Sequence, residues 1–302
     1  MTDRLNWPDL PQKVRAAIEE QTGPAVRVEA VTSGRPGLAV RLYTERDEAF
    51  VKAIPLSDPA VSLIQRERWA SLHLPLSAPV PRMTGDIIFG GWQVVMWELI
   101  NDNADHAYMG PGSSDIPLVV DGLERLGKLL TPCPSRARPA VERVSSLWAK
   151  ARFVLKRPVL YDRELYKMVL AGFQPSMLQG DPLLHGDQLL HGNLTPGHLR
   201  IKDGLLYVVD WSEACRGPAW FDLALLAPQL VVDGHKPELA DAELAAMPGW
   251  REAPANHVAG LAALWTLARL YDAEHGPEIR RRAETRCAEK GKDWLAYRLS
   301  MI

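Results

Sequence analysis

The sequence predicts an α+β fold in two lobes, a small N-terminal antiparallel sheet lobe over residues 1–100 and a larger, mainly helical C-terminal lobe over residues 101–302. Three observations predict it. From Ala25 the chain runs through short β-like segments separated by turn residues. The run NDNADHAYMGPGSSD, which starts at Asn101, then breaks all periodicity. Beyond it, most apolar residues recur at helical spacing.

In the first lobe AVRVEAV, LAVRLYT and AFVKAI read as a three-strand meander, because TSGRPG and ERDE between them have the Gly, Pro and charge content of turns. DPAVSLIQRERWASLHL follows, with Val61, Ile64, Trp69 and Leu72 at helical spacing behind the start signal Asp58-Pro59. IIFGGWQVVMWELI reads as a hairpin with a strongly apolar second strand. In the second lobe helices are expected at 117–131, 139–157, 161–173, 219–231, 237–247 and 254–298. HLRIKDGLLYVVDW interrupts them as a hairpin turning at Lys202-Asp203-Gly204.

Composition narrows the function classes. At 47% hydrophobic and 24% charged residues the chain is built as a soluble globular protein. A net charge of -2 supplies no basic face for nucleic acid or an anionic membrane, and Arg280, Arg281, Arg282 and Arg286 read as the wet face of a helix. No apolar run reaches the length of about 20 residues that spans a bilayer, and MTDRLNWPDLPQKV has no apolar stretch of the kind a signal peptide needs. Three scattered cysteines suggest neither a disulfide framework nor a zinc knuckle, so a reducing cytoplasm is the expected setting. Nothing in the sequence sets the oligomeric state.

Leu183 to Ile201 reads LLHGDQLLHGNLTPGHLRI, in which LLHGDQ is echoed six residues later by LLHGNL. The chain resembles the aminoglycoside phosphotransferase and choline kinase-like family, distant relatives of the protein kinases. The resemblance covers residues 25–275, and its most specific part is HGNLTPGHLRIKDGLLYVVDW followed by GPAWFDLALL. It implies a protein-kinase-like fold and a nucleotide-dependent phosphotransferase. ATP or GTP with Mg²⁺ or Mn²⁺ would supply a γ-phosphate to a hydroxyl of a small molecule such as an antibiotic, a sugar or an amino alcohol.

Family members carry a catalytic loop of the form HGDLxPxN and, 12 to 14 residues on, a second Asp in a context such as IDW. His191-Gly192-Asn193-Leu194-Thr195-Pro196-Gly197-His198 fits that frame, with Asp210-Trp211 twelve residues beyond His198. Phosphoryl transfer asks mainly for positioning and charge neutralisation, so the frame needs an acceptor-orienting base and hard oxygen ligands for the metal. In this register the base position is Asn193, whose amide orients a hydroxyl but cannot take its proton. The second metal position is His198, whose imidazole suits softer metals better than Mg²⁺. Asp210 keeps the family residue as metal ligand. An alternative register takes Asp187 as the base and Asn193 as the metal amide. It restores both residue types, lengthens the gap between them from five residues to six, and discards the match through LTPGHL.

Upstream, the resemblance gives Lys52 the contact with nucleotide phosphates and Glu67, on the following helix, the pairing role. Ser33-Gly34-Arg35-Pro36-Gly37 falls where a phosphate-covering loop belongs, with Gly34 and Gly37 the glycines that would let backbone amides approach. The segment from Val94 to Asn101 would be the adenine-binding hinge, contacting through backbone groups of Glu98 and Ile100. Asp222 matches the family aspartate that braces the catalytic loop, and His191 would hold that loop. Trp211 and Trp220 would line the substrate side.

Other chemistries fit less well. His185, His191 and His198 with Asp187 are spaced by six and seven residues, which is not the spacing of zinc ligands on a helix or knuckle. There is no GxSxG elbow and no Walker motif. The rival to an enzyme is a pseudokinase, a nucleotide or small-molecule binding protein that keeps the fold for regulation or sequestration, suggested by Asn193 and His198.

Overall fold

In the computed structural model, which describes residues 5–31, 36–100, 105–134, 137–157, 160–173 and 180–302, the β-like segments after Ala25 pair as expected. The strands are β1 (Ala25–Ala30), β2 (Leu38–Thr44), β3 (Glu48–Pro55), β4 (Met83–Phe89) and β5 (Trp92–Glu98). They form one antiparallel sheet in the order β1-β2-β3-β5-β4, with Lys52 of β3 opposite Ala39 on one side and Val95 on the other. The fold is the α+β arrangement that the sequence predicts, an N-terminal five-stranded antiparallel sheet and a mainly helical C-terminal part.

Two compact units make up the chain, Met1–Asp105 with Tyr207–Glu213, and His106–Leu206 with Ala214–Ile302. The return of seven residues, 207–213, to the first unit brings Asp210 there.

Strand parity sorts the first unit into two packed layers, because successive side chains of a strand point to opposite faces. Val51 and Ala53 join Leu38, Val40, Leu42, Val94 and Met96 in a core with Leu10, Val14 and Ile18. Val14 and Ile18 lie on α1 (Gln12–Thr22), a helix the sequence reading missed although Leu10, Val14 and Ile18 recur every four residues. On the opposite face Ile54, Val95 and Trp97 pack with Ile64 of α2 (Val61–His73). Lys52 has the parity of Phe50 and Ile54 and therefore lies on the α2 side.

The second unit carries α3 (Asp115–Leu129), α4 (Ala140–Leu155), α5 (Arg163–Ala171), α6 (Trp220–Val232), α7 (Pro237–Leu244), α8 (Pro248–Arg251), α9 (Ala255–His275) and α10 (Glu278–Leu299). The single helix expected over 254–298 is two. Gly276-Pro277 divides them: Pro277 caps α10, and a side chain at Gly276 would collide with the Asp272 carbonyl. After the two-residue strand β6 (Asp105–His106), strand β7 (Gln188–Leu190) pairs antiparallel with β10 (Cys215–Gly217), a ladder the sequence did not reveal because each of the paired strands is only three residues long. Between them come β8 (Leu199–Lys202) and β9 (Leu205–Val208), joined at Asp203-Gly204, both with positive φ (52° and 72°) as a two-residue hairpin turn requires. No helix of the described residues is long and apolar enough to cross a membrane.

The C-terminal helix is locked by one carboxylate. Asp241 on α7 accepts hydrogen bonds from Trp250 Nε1 (2.8 Å), Tyr297 OH (2.9 Å) and Arg298 Nη1 (3.0 Å). The Arg298 guanidinium also lies 5.5 Å from the Trp250 ring and 5.6 Å from the Trp294 ring. Removing Asp241 would strand a buried cation, so Asp241→Ala is expected to lower stability by about 3 kcal/mol in urea unfolding. A variant as stable as the wild type would show that the aromatic rings alone hold Arg298.

Candidate functional site

Glu67 occupies a position that geometry reserves for an apolar residue. On α2 the residues Ile64, Glu67 and Ala70 are buried at a spacing of three, the stripe that faces the sheet. A carboxylate there needs a partner. It has Lys52, whose Nζ lies 2.9 Å from Oε1 and 2.6 Å from Oε2, with Lys52 9% and Glu67 5% exposed. The ammonium also stands 5.6 Å from the Phe50 ring and 5.7 Å from the Trp97 ring.

Asp210 completes the group. Its Oδ2 lies 3.5 Å from Lys52 Nζ, while Ser212 Oγ donates to its Oδ1 at 2.5 Å. The backbone of Asp210 is left-handed, with φ of 64°. Asp tolerates that region better than most residues, at a cost of order 1 kcal/mol. The turn is held from α2 by Arg66, whose Nε donates to the Ser212 carbonyl at 2.9 Å and whose Nη2 is 3.9 Å from Glu213 Oε2. Arg66 and Ser212 escaped the sequence reading. Ser212, two residues after Asp210, had a local signal, but Arg66 lies 146 residues from its partner and had none.

In the second unit the two copies of the echo do different work. In the first copy Gly186 packs on the backbone of Gly217 and Pro218, where any side chain would collide. Asp187 follows, exposed at the start of β7, and its carbonyl accepts from Cys133 N–H at 2.8 Å. In the second copy the chain leaves β7 and turns at Gly192, with φ of 73°. Asp222 of α6 accepts from His191 N–H (2.6 Å) and Gly192 N–H (2.8 Å), and Arg143 Nε donates to the Gly192 carbonyl (2.8 Å). Burial pushes the Asp222 carboxyl above the ordinary aspartate range, against the pull of His191 and the two amides.

The loop is closed by its own histidines. Asn193 N–H donates to His191 Nδ1 at 3.3 Å, and His198 Nδ1 donates to the Asn193 carbonyl at 2.9 Å. The two imidazole rings are 5.2 Å apart. Asn193, His191, His198 and Asp222 thus form one connected group. Asp187 does not join it: four residues of nearly extended chain, about 13 Å, separate it from His191.

Of the remaining expected residues, Gly34 lies outside the described residues. Gly37 has φ of 89°, and a side chain there would strike the Ala53 carbonyl, so its own packing against β3 already requires glycine. Glu98 donates its backbone N–H to the Arg82 carbonyl at 2.8 Å. Ile100 makes no backbone hydrogen bond among the described residues. Trp211 donates from Nε1 to the Val208 carbonyl, and Trp220 packs against Phe221 and His257; both are buried, so they build the core.

Solved structures share this fold. Choline kinase LicA from Streptococcus pneumoniae superposes with a TM-score of 0.66 at 14% identity, covering 95% of this chain and 100% of that one. An aminoglycoside phosphotransferase from Alicyclobacillus acidocaldarius gives 0.60 at 12% identity, covering 98% and 97%. A thermostable mutant of aminoglycoside phosphotransferase APH(4)-Ia, in ternary complex with AMP-PNP and hygromycin B, gives 0.61 at 13% identity, covering 94% and 99%. At such identities the likeness is one of fold, the protein-kinase-like fold of small-molecule kinases. No curated protein matches the sequence significantly. The family model for APH, the phosphotransferase enzyme family, matches residues 27–255, and the chain belongs to that family.

Proposed function

We propose that this protein is a small-molecule kinase, transferring the γ-phosphate of ATP or GTP to a hydroxyl of a small molecule such as an antibiotic, a sugar or an amino alcohol. One observation carries the reading: the buried Lys52–Glu67 pair with the Asp210 carboxylate 3.5 Å from the same ammonium. A buried ion pair is weak evidence for stability, since an apolar pair of similar volume would serve the core at least as well. A buried lysine flanked by two carboxylates instead suits a phosphate-binding cation kept in place between turnovers.

Each residue then has a part. Lys52 would bind the nucleotide phosphates, with Glu67 fixing the direction of its ammonium. Asp210 offers hard carboxylate oxygens of the kind Mg²⁺ or Mn²⁺ takes, and the metal would neutralise phosphate charge as the group leaves. Among the described residues no three His, Cys, Asp or Glu could hold a metal by themselves. The donor set fits a metal that arrives with its nucleotide, since Mg²⁺ is usually held by one or two carboxylates plus phosphate. His198 would be a further ligand, and its nitrogen would shift preference toward Mn²⁺. Asn193 would orient the acceptor hydroxyl on a loop braced by Asp222 and His191, and Ile100 would offer backbone groups to the base. Gly34 and Gly37 would let backbone amides approach the phosphates. The reading implies a cytoplasmic enzyme with no nucleic-acid or membrane partner.

Calorimetric titration with ATP and GTP, with and without Mg²⁺ or Mn²⁺, tests the reading. Metal-dependent nucleotide binding is expected; no binding under any metal would sink it. Asn193 favours a second reading, a binding or regulatory protein, because its amide cannot accept a proton. That reading expects the same binding but no phosphorylated product in a screen of hydroxylated small molecules.

A further inference from the structure

Arg66 and Glu67 are neighbours on α2, and each holds one end of the same chain of polar contacts. Glu67 holds Lys52, Lys52 meets Asp210 Oδ2, Ser212 Oγ donates to Asp210 Oδ1, and the Ser212 carbonyl accepts from Arg66 Nε. The chain of contacts leaves α2 at residue 67 and returns to it at residue 66. We infer that Arg66, through Ser212, is a positioning residue that sets where the Asp210 carboxylate presents itself for a metal-bound nucleotide, so that one helix fixes both the phosphate-binding cation and the metal-binding anion.

The physical case rests on degrees of freedom. Asp210 sits in a left-handed turn, which a neighbouring extended conformation would relieve. The Arg66 bond to the peptide carbonyl two residues on prevents that relaxation. The Ser212 hydroxyl fixes the carboxylate rotamer from the same residue. A guanidinium suits the task, because its planar fork donates at a fixed angle to the carbonyl while facing Glu213; a lysine ammonium on the same stem has no such fork. The inference rests on the proposed kinase reading, since it assigns Asp210 to the metal-bound nucleotide.

The test compares Arg66→Ala, Arg66→Lys and Ser212→Ala with the wild type by calorimetry, titrating ATP alone and ATP with Mn²⁺, alongside thermal unfolding. Affinity for the metal-bound nucleotide is expected to fall roughly 10- to 100-fold in Arg66→Ala and Ser212→Ala, the usual effect of removing a group that orients a metal ligand. Affinity for metal-free ATP is expected to hold, and Arg66→Lys should recover only part of the loss. Ser212→Ala keeps the Arg66–carbonyl bond and so reports on the carboxylate even if Arg66→Ala fails to fold. Wild-type affinity for metal–ATP in Ser212→Ala and in every Arg66 variant that folds would overturn the inference and leave the kinase reading standing. So would a parallel fall of both affinities and of the thermal midpoint, which is what a merely structural role predicts. A wild-type protein that binds no nucleotide fails the kinase reading itself, before any variant is made, and the inference with it.

Discussion

Asp210→Ala is expected to abolish phosphoryl transfer, by more than roughly 10³-fold, and to remove the metal-dependent part of nucleotide affinity. The residue is the carboxylate that faces Lys52 in the first unit and does not itself neutralise that lysine, because Glu67 already holds the ammonium with both oxygens. Lys52 therefore stays paired when Asp210 is lost, and the fold survives. The stability change should be small: alanine at a φ of 64° costs about 1 kcal/mol, and one Ser212 hydrogen bond goes with it. Asp210→Asn separates charge from geometry, since asparagine accepts the left-handed backbone and the Ser212 bond but carries no charge to a metal. Loss of turnover in both variants assigns the effect to charge. Unchanged turnover in Asp210→Ala would remove Asp210 from the site.

The parts of this site that were legible in the sequence are those that local rules govern. The β-like segments between turn residues and the helical spacing after Asp58-Pro59 placed Lys52 on the third strand and Glu67 on the next helix, and the structure brings them to 2.6 Å. The echo was visible too, and the resemblance put Asp222 and His191 at the loop of the second copy, but what separates the two copies physically was not legible. That depends on Gly186 meeting the backbone of Gly217, and on Asp222 reaching the amides of His191 and Gly192. Both are contacts about 30 residues apart in the chain. Long-range closure explains the other omissions. The β7–β10 ladder is too short to show a period, and the Arg66–Ser212 bond has no local signature. Helix α1 is a different case, because its four-residue repeat was present and simply stood ahead of the first recognised strand.

Asn193→Asp is expected to raise turnover by about 10²- to 10⁴-fold, the usual range for general-base help. Positioning and metal electrostatics carry most of a loose phosphoryl transfer, so the natural Asn193 would give a slow enzyme instead of none. The loop that presents residue 193 is held through its main chain: Asp222 accepts from the His191 and Gly192 amides, Arg143 donates to the Gly192 carbonyl, and the Asn193 backbone bonds His191 and His198. A carboxylate should therefore enter without moving the loop, and nucleotide affinity should stay near that of the natural chain. Asp187→Ala provides the contrast. Asp187 is exposed at the far end of β7, and its backbone carbonyl, which the substitution keeps, makes the contact with Cys133. Turnover unaffected by Asp187→Ala and raised by Asn193→Asp would place residue 193 at the base position. Turnover lost in Asp187→Ala and unmoved in Asn193→Asp would instead make Asp187 the base. A chain that binds metal–nucleotide but shows no product even as Asn193→Asp would be a binding protein, in which the loop is kept for its shape.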